Sequence, residues 1–321
     1  MQVLVTGATG FVGRALLQRL IGLQGVTVIA GVRDVDPLRF AGLSCEQRLL
    51  GDLAEGQFCP ELLQGVDVVV HTAARVHVMQ EREGDPLAAF RRVNAAGTIG
   101  LSKAAVQAGV KRFVFVSSIK VNGEETVPGQ CFTAEDKPHP VDPYGISKHE
   151  AEQGLRQVCE HAGMEWVVVR PPLVYGPGVK ANFRRLLHSL SKGLPLPIGA
   201  LHNQRSLVAL DNLVDLLLTC LDHPRAVNQV FMVSDGDDLS VRVLAERLAR
   251  LLESRSWLLP VPAGCLHGSL SLFGRRGVAQ RLCGELRVNM DKTCSVLGWQ
   301  PPVSIDAALA RTVAQYLVHR E

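Results

Sequence analysis

The chain has 321 residues, enough for one large domain or two smaller ones with an ample core. Its 34 basic and 31 acidic residues leave a formal charge of +3, too small to argue for nucleic acid as a partner. The eight cysteines show no Cys-x-x-Cys spacing, so no metal site and no disulfide framework is expected, and a reduced cytoplasmic setting is the default.

Met1 leads straight into an apolar run with no basic stretch before it, so no secretory signal is expected. Residues 3–5 predict a first strand, followed by Gly7-x-x-Gly10-x-x-Gly13 and a helical pattern over 12–21. Glycines at this spacing allow a tight turn and close backbone approach to a pyrophosphate, which the helix N-terminus then attracts. Thr9, Phe11 and Val12 complete this candidate cofactor-binding turn.

A second strand over 26–31 ends in Val32-Arg33-Asp34. NAD sites place an acid near this point for the ribose hydroxyls. Here Val32 stands about there and Arg33 follows, and a guanidinium suits a 2′-phosphate. NADP(H) is therefore favoured, and NAD(H) remains possible with Asp34 in a shifted register. Next, Gly51-Asp52-Leu53 follows a strand-like stretch and could set Asp52 and Leu53 beside an adenine. A strand over 66–71 ends in His71-Thr72-Ala73-Ala74, whose small residues would admit a cofactor ribose. Both segments also fit ordinary loops.

A helical pattern over 87–108 and a strand over 112–117 lead to Ser118. In the helical pattern over 144–161, Tyr144 and Lys148 stand four apart and share a face. An ammonium and a positive nicotinamide nearby would lower the phenol from its usual ~10. Tyr144 could then exchange a proton at neutral pH while Ser118 binds the substrate oxygen. A strand over 166–170 completes an alternation that predicts an α/β fold, a doubly wound parallel Rossmann sheet with a smaller mixed C-terminal lobe.

The pattern changes after Pro171-Pro172. We read 1–172 as the dinucleotide-binding domain and 173–321 as mostly a smaller substrate-facing lobe, with strand 229–233 a candidate to return to the main sheet. Helices are expected over 211–221 and 241–252. Asn182 and Arg205 are candidate ligands for a second diphosphate, on the substrate, whereas Lys180, Arg184 and Arg185 read as solvated. The apolar stretch 257–273 is broken by Pro260, Pro262, Gly264 and His267, so it does not predict a transmembrane helix; loose contact with a membrane surface stays open.

Together these residues resemble the extended short-chain dehydrogenase/reductase family, of the NAD-dependent epimerase/dehydratase type, over essentially the whole chain. The motifs are Thr6-Gly7-x-x-Gly10-x-x-Gly13, His71-x-Ala73-Ala74, Val93-Asn94-x-x-Gly97-Thr98, Ser117-Ser118, Pro143-Tyr144-x-x-x-Lys148, Arg170-Pro171-x-x-Val174-Tyr175-Gly176-Pro177-Gly178 and Leu297-Gly298-Trp299-x-Pro301. The resemblance implies that Tyr144 is the acid/base, that Lys148 binds ribose and tunes Tyr144, and that Ser118 binds the reacting oxygen. It adds Asn94, Ser117 and Pro171 to the cofactor contacts, makes 173–321 a nucleotide-sugar-binding lobe, and gives Asn182 and Arg205 the diphosphate of a UDP-sugar. It also implies a homodimer through helices covering about 87–109 and 144–161, where Ala95, Ala96, Ala104 and Ala105 would permit close packing.

Two departures narrow the reaction. Ile119-Lys120 stands where family dehydratases carry Asp-Glu, which argues against dehydration, and Val121-Asn122-Gly123 replaces the Val-Tyr-Gly of many epimerases. With Arg33, these favour an NAD(P)H-dependent 4-keto reductase of a UDP-4-keto-6-deoxy-N-acetylhexosamine in bacterial surface-polysaccharide synthesis. The alternatives are a UDP-hexose or UDP-N-acetylhexosamine 4-epimerase, and a reductase of a non-sugar carbonyl.

Overall fold

The computed structural model describes residues 1–76, 84–272 and 276–319. Its first half comprises strands β1 (Gln2–Thr6), β2 (Thr27–Val32), β3 (Glu46–Leu49), β4 (Val68–His71), β5 (Arg112–Val116) and β6 (Glu165–Arg170). Between them lie helices α1 (Phe11–Ile21), α2 (Pro86–Phe90), α3 (Gly97–Gln107) and α4 (Pro143–Ala162). The later chain adds β7 (Leu173–Tyr175), α5 (Ala181–Ser191), β8 (Gln204–Arg205), β9 (Leu207–Ala209), α6 (Leu210–Thr219), β10 (Gln229–Met232) and β11 (Leu239–Ser240). It ends with α7 (Val241–Leu251), α8 (Ala263–Leu272), α9 (Arg276–Cys283), α10 (Asp291–Leu297) and α11 (Ile305–Val318).

Seven strands form one parallel sheet in the order β10-β6-β5-β4-β1-β2-β3. The central strands are apolar because both faces are covered. Val3 and Val5 point into one core with Leu16, Leu17 and Leu20 of α1 and Leu213 and Leu217 of α6. Leu4 and Val69 point into the other, with Leu101 and Ala105 of α3 and Ala151 and Leu155 of α4. A third core joins Tyr175, Phe183, Leu207, Leu244, Leu248 and Leu309. Strand order reverses between β1 and β4, which opens a crevice at their C-terminal ends.

The pattern over 87–108 is broken rather than one helix. A π-helical segment, Arg91–Ala96, separates α2 from α3 and carries Asn94. The backbones crowd just beyond it: a Cβ on Gly97 would lie 2.6 Å from the Leu53 carbonyl oxygen, and one on Gly100 only 2.0 Å from that of Gly56. The wider turn carries buried Asn94 inward, where Oδ1 accepts from the Arg75 amide at 2.8 Å and Nδ2 donates to the Arg75 carbonyl at 3.0 Å. Ala95, Ala104 and Ala105 are also buried within the chain, so the small-residue face suggested for a second copy is largely used inside one copy.

Glu152 of α4 is fully enclosed and pairs with buried Arg170 of β6, Nη2 to Oε2 at 2.5 Å and Nε to Oε1 at 2.9 Å. Removing one partner strands the other charge in the interior. We therefore expect Glu152→Ala to lose about 3–5 kcal/mol of stability in urea unfolding. A loss within the usual surface range of about 0.5 kcal/mol would show that the pair does not hold α4 to the sheet.

Candidate active site

The candidate cofactor residues gather along the C-terminal rim of the sheet. Gly7 follows β1, Arg33 follows β2, Thr72 to Ala74 follow β4, Ser117 and Ser118 follow β5, and Pro171 follows β6. Asp52 lies a short loop beyond β3.

Gly7 has φ of +67°, and a Cβ there would sit 2.7 Å from the Ala73 amide nitrogen. One on Gly13 would lie 2.2 Å from the Gly7 carbonyl oxygen, so α1 can approach the turn only without it. The Gly10 amide closes the turn onto the Gly7 carbonyl at 2.8 Å. Gly10 is the N-cap of α1, has no capping side chain, and no acid occupies the first turn. Thr9 and Gly10 are exposed, with Phe11 and Val12 half-buried behind them. This cradle fits the diphosphate of a dinucleotide, offered by amide groups and the positive end of the helix.

The remaining cofactor candidates are less uniform. Arg33 and Asp34 are both exposed. Asp52 is exposed too, and its carboxylate caps a short turn by accepting from the Ala54 amide at 2.9 Å; Leu53 is half-buried. Thr72 Oγ1 donates to the Thr6 carbonyl at 2.7 Å, which ties the β4 loop to β1. Ser117, expected among the cofactor contacts, has its hydroxyl donating to Glu152 at 2.6 Å and its amide to the Val169 carbonyl at 2.8 Å. Both groups are engaged inside the protein.

Asp142 starts α4 by accepting from the Gly145 amide at 2.6 Å, and Pro143 occupies the first turn. This start places Tyr144 at the rim and Lys148 one turn further in. Lys148 Nζ donates to the Val116 carbonyl at 2.8 Å and stands 4.3 Å from the centre of the Phe115 ring. Burial pushes its ammonium down to about 7, with the Glu152 charge opposing. The expectation of a lowered phenol needs correction for the chain by itself. Burial, with Asp142 second, holds Tyr144 above its ordinary value, and only the hydrogen bond with Ser118 pulls it down. Charge that lowers it further must come from the ligand.

Several supporting roles escaped the sequence reading. His71 lies wholly buried beneath the rim, with Nδ1 2.6 Å from Thr6 Oγ1 and Nε2 3.0 Å from Thr98 Oγ1. Thr98 gives its own proton to the Asn94 carbonyl, so Nε2 of His71 is assigned as the donor. Burial, and secondarily Lys148, lowers this imidazole to about 3, so it stays neutral. Lys120 ion-pairs with Glu124 at 2.8 Å and with Asp142, and its amide donates to Ser118 Oγ at 3.3 Å. It thus touches both the loop of Ser118 and the cap of the Tyr144 helix. Glu152 had one legible signal: it follows Lys148 by four residues on the same face.

On the substrate side, Asn182 is exposed in the first turn of α5, after Ala181 at φ of +53°. Arg205 is half-buried and donates to the Gly284 carbonyl at 2.8 Å. Gly284, with Glu125, His267 and Gln280, lines a cleft of about 610 Å³.

The family model of the NAD dependent epimerase/dehydratase family matches residues 3–234. A UDP-glucose 4-epimerase of Vibrio cholerae is 46% identical over 98% of this chain and 95% of its own. The N-acetyl-alpha-D-glucosaminyl-diphospho-ditrans,octacis-undecaprenol 4-epimerase of Escherichia coli O157:H7 is 28% identical over 99% of this chain and 96% of its own. Among solved structures, a UDP-glucuronic acid 4-epimerase from Bacillus cereus in complex with NAD superposes with a TM-score of 0.81 at 19% identity, covering all of both chains. The chain belongs to the NAD dependent epimerase/dehydratase family, enzymes of the short-chain dehydrogenase/reductase type that work with a nicotinamide cofactor. Its relatives include nucleotide-sugar epimerases and a GDP-6-deoxy-D-mannose reductase, and also a 2-alkyl-3-oxoalkanoate reductase of Stenotrophomonas maltophilia.

Tyr144→Phe is expected to lower turnover by about 10²–10⁴-fold with cofactor affinity nearly unchanged, since only the proton-bearing oxygen is lost. Steady-state rates above half of wild type would remove Tyr144 from the chemistry. Lys148 gives a second test, with a defined sign. Its folded value is depressed, so between about 7 and the unfolded ~10.4 the unfolded chain binds more protons and this group makes stability rise with pH. Lys148→Met should therefore abolish activity yet stabilise the cofactor-free protein at pH 7, with the gain shrinking towards pH 10. Equal or lower melting temperatures than wild type at neutral pH would refute the depressed ammonium.

Proposed function

We propose that the protein is a 4-epimerase of a UDP-linked hexose or N-acetylhexosamine. The observation that carries this is the near end-to-end similarity to the V. cholerae 4-epimerase, together with an intact Ser118, Tyr144 and Lys148 set. A nicotinamide cofactor held by the Gly7 to Gly13 turn and Lys148 would supply reversible hydride chemistry. Tyr144 takes the C4 hydroxyl proton as the hydride leaves, Ser118 holds the oxygen, and the sugar becomes a 4-ketone. Tyr144 would return the proton once the 4-ketone is reduced on its other face, so that the cycle leaves no net redox change. Asn182 and Arg205 hold the diphosphate, so that binding energy far from C4 positions the reacting carbon.

The 4-keto reductase reading now stands second. Arg33 after β2 still favours it, because a reductase consumes its cofactor and commonly uses NADPH. The departure at Asn122 carries less weight than its position suggested. Asn122 is buried, accepts from Arg170 Nη1 at 3.0 Å and donates to the Thr133 carbonyl at 2.9 Å, so it serves the buried ion pair. Chemistry at C4 is the same on any diphosphate carrier, and the E. coli relative, by its name, acts on a polyprenyl one. We assign a homodimer through the outer faces of α3 and α4; a monomeric mass by light scattering at micromolar concentration would overturn it.

The deciding experiment incubates the protein with UDP-N-acetylglucosamine or UDP-glucose and no reduced cofactor. Interconversion with the galacto isomer is the expected result. Stoichiometric NADPH consumption with a UDP-4-keto sugar, and no interconversion, would transfer the assignment to the reductase. Cofactor choice follows from Arg33→Ala: if Arg33 reads a 2′-phosphate, NADP(H) affinity falls by about tenfold or more while NAD(H) affinity is unmoved.

A further inference from the structure

We propose that α8 and the segment leading into it form a docking surface for an anionic phospholipid bilayer. Residues 256–274 contain no Asp, Glu, Lys or Arg, and the sequence flanks them with Arg255 and with Arg275-Arg276. Helix α8 is uncharged along its whole length, yet only Leu266 in it is buried. Helix α7 next to it in sequence does the opposite: it buries Leu244, Ala245 and Leu248 and turns Arg242, Glu246 and Arg250 outward. The exposed groups of the α8 region are large. Trp257 is 74% exposed, Leu259 41% and Leu272 88%. Backbone bonds between Leu196 and both Trp257 and Leu259, at 2.8 Å each, bring half-exposed Leu194 into the same neighbourhood.

This combination is costly in water and suited to an interface. Apolar side chains enter the boundary between headgroups and acyl chains, while arginines at the edges meet anionic headgroups. Arg255 and Arg281 supply described positive charge on either side of α8. The charge complementarity selects an anionic bilayer over a second copy of the chain, which would bring like arginines together. No described helix is long and apolar enough to cross a membrane, so the contact lies on the surface.

The same helix also lines the cleft, through His267 and Ser271. Docking would hold the cleft mouth at headgroup level, within reach of a diphosphate-linked sugar on a lipid carrier. This last consequence rests on the proposed C4 chemistry; the docking itself does not.

The protein carries its own probe. Trp166 and Trp299 are buried at 7% and 5% exposure, so Trp257 dominates any change in tryptophan environment at the surface. With phosphatidylglycerol-containing vesicles, emission should shift to the blue and the protein should co-sediment, less so as salt rises. Trp257→Ser with Leu272→Ser should weaken co-sedimentation by about tenfold or more while leaving turnover of the soluble UDP-sugar unchanged. If that turnover is absent in wild type as well, the proposed reaction fails and the vesicle result still stands. No shift and no co-sedimentation at millimolar lipid would overturn the proposal. So would equal binding to neutral phosphatidylcholine vesicles, or a lipid-independent blue shift that grows with protein concentration, which would assign the face to a second copy.

Discussion

The carboxylate of Glu152 is the constraint on which the candidate active site rests. Its two oxygens take up Ser117 and Arg170, and Arg170 in turn takes up Asn122. One buried charge thereby joins the loop after β5, the end of β6 and the helix that carries Tyr144 and Lys148. Burying an ion pair offers little net stability, but it is unforgiving of misplacement, because each unsatisfied member is expensive. That intolerance is a way to hold a phenol and a hydroxyl at one separation.

Above this anchor the site carries electrostatic tension. Lys148 is buried enough to lower its ammonium to about 7, and the same burial raises the Tyr144 phenol. His71 is neutral beneath them and adds no charge of its own. The chain thus builds a low-dielectric pocket in which any ligand charge acts strongly.

The same restraint by buried neighbours recurs at the cleft beside Gly284. Arg205 is held by the Gly284 carbonyl, and burial with nearby Arg281 works against its charge while Glu124 and Glu125 support it. Under the proposed reaction, a guanidinium restrained in this way would already be oriented before a diphosphate arrives. Helices α8 and α9 line the cleft through His267, Ser271, Gln280 and Cys283, and α8 also carries the exposed Leu272.

Much of this was legible in one dimension because the relevant signals are local. Apolar runs alternating with helical patterns, the glycine spacing at Gly7 to Gly13, and Tyr144 four residues before Lys148 depend on neighbours a few residues apart. Strand and helix bounds from those patterns lie within about two residues of the observed ones where the element is regular. What the tertiary structure alone decided depends on partners far apart in the chain. The π-helical turn at Asn94 answers to the close approach of Leu53 and Gly56. The engagement of Ser117 depends on Glu152, and the buried role of Asn122 depends on Arg170. The direction of the Tyr144 shift depends on how much water the fold removes, a quantity set by packing in three dimensions and absent from any spacing of residues.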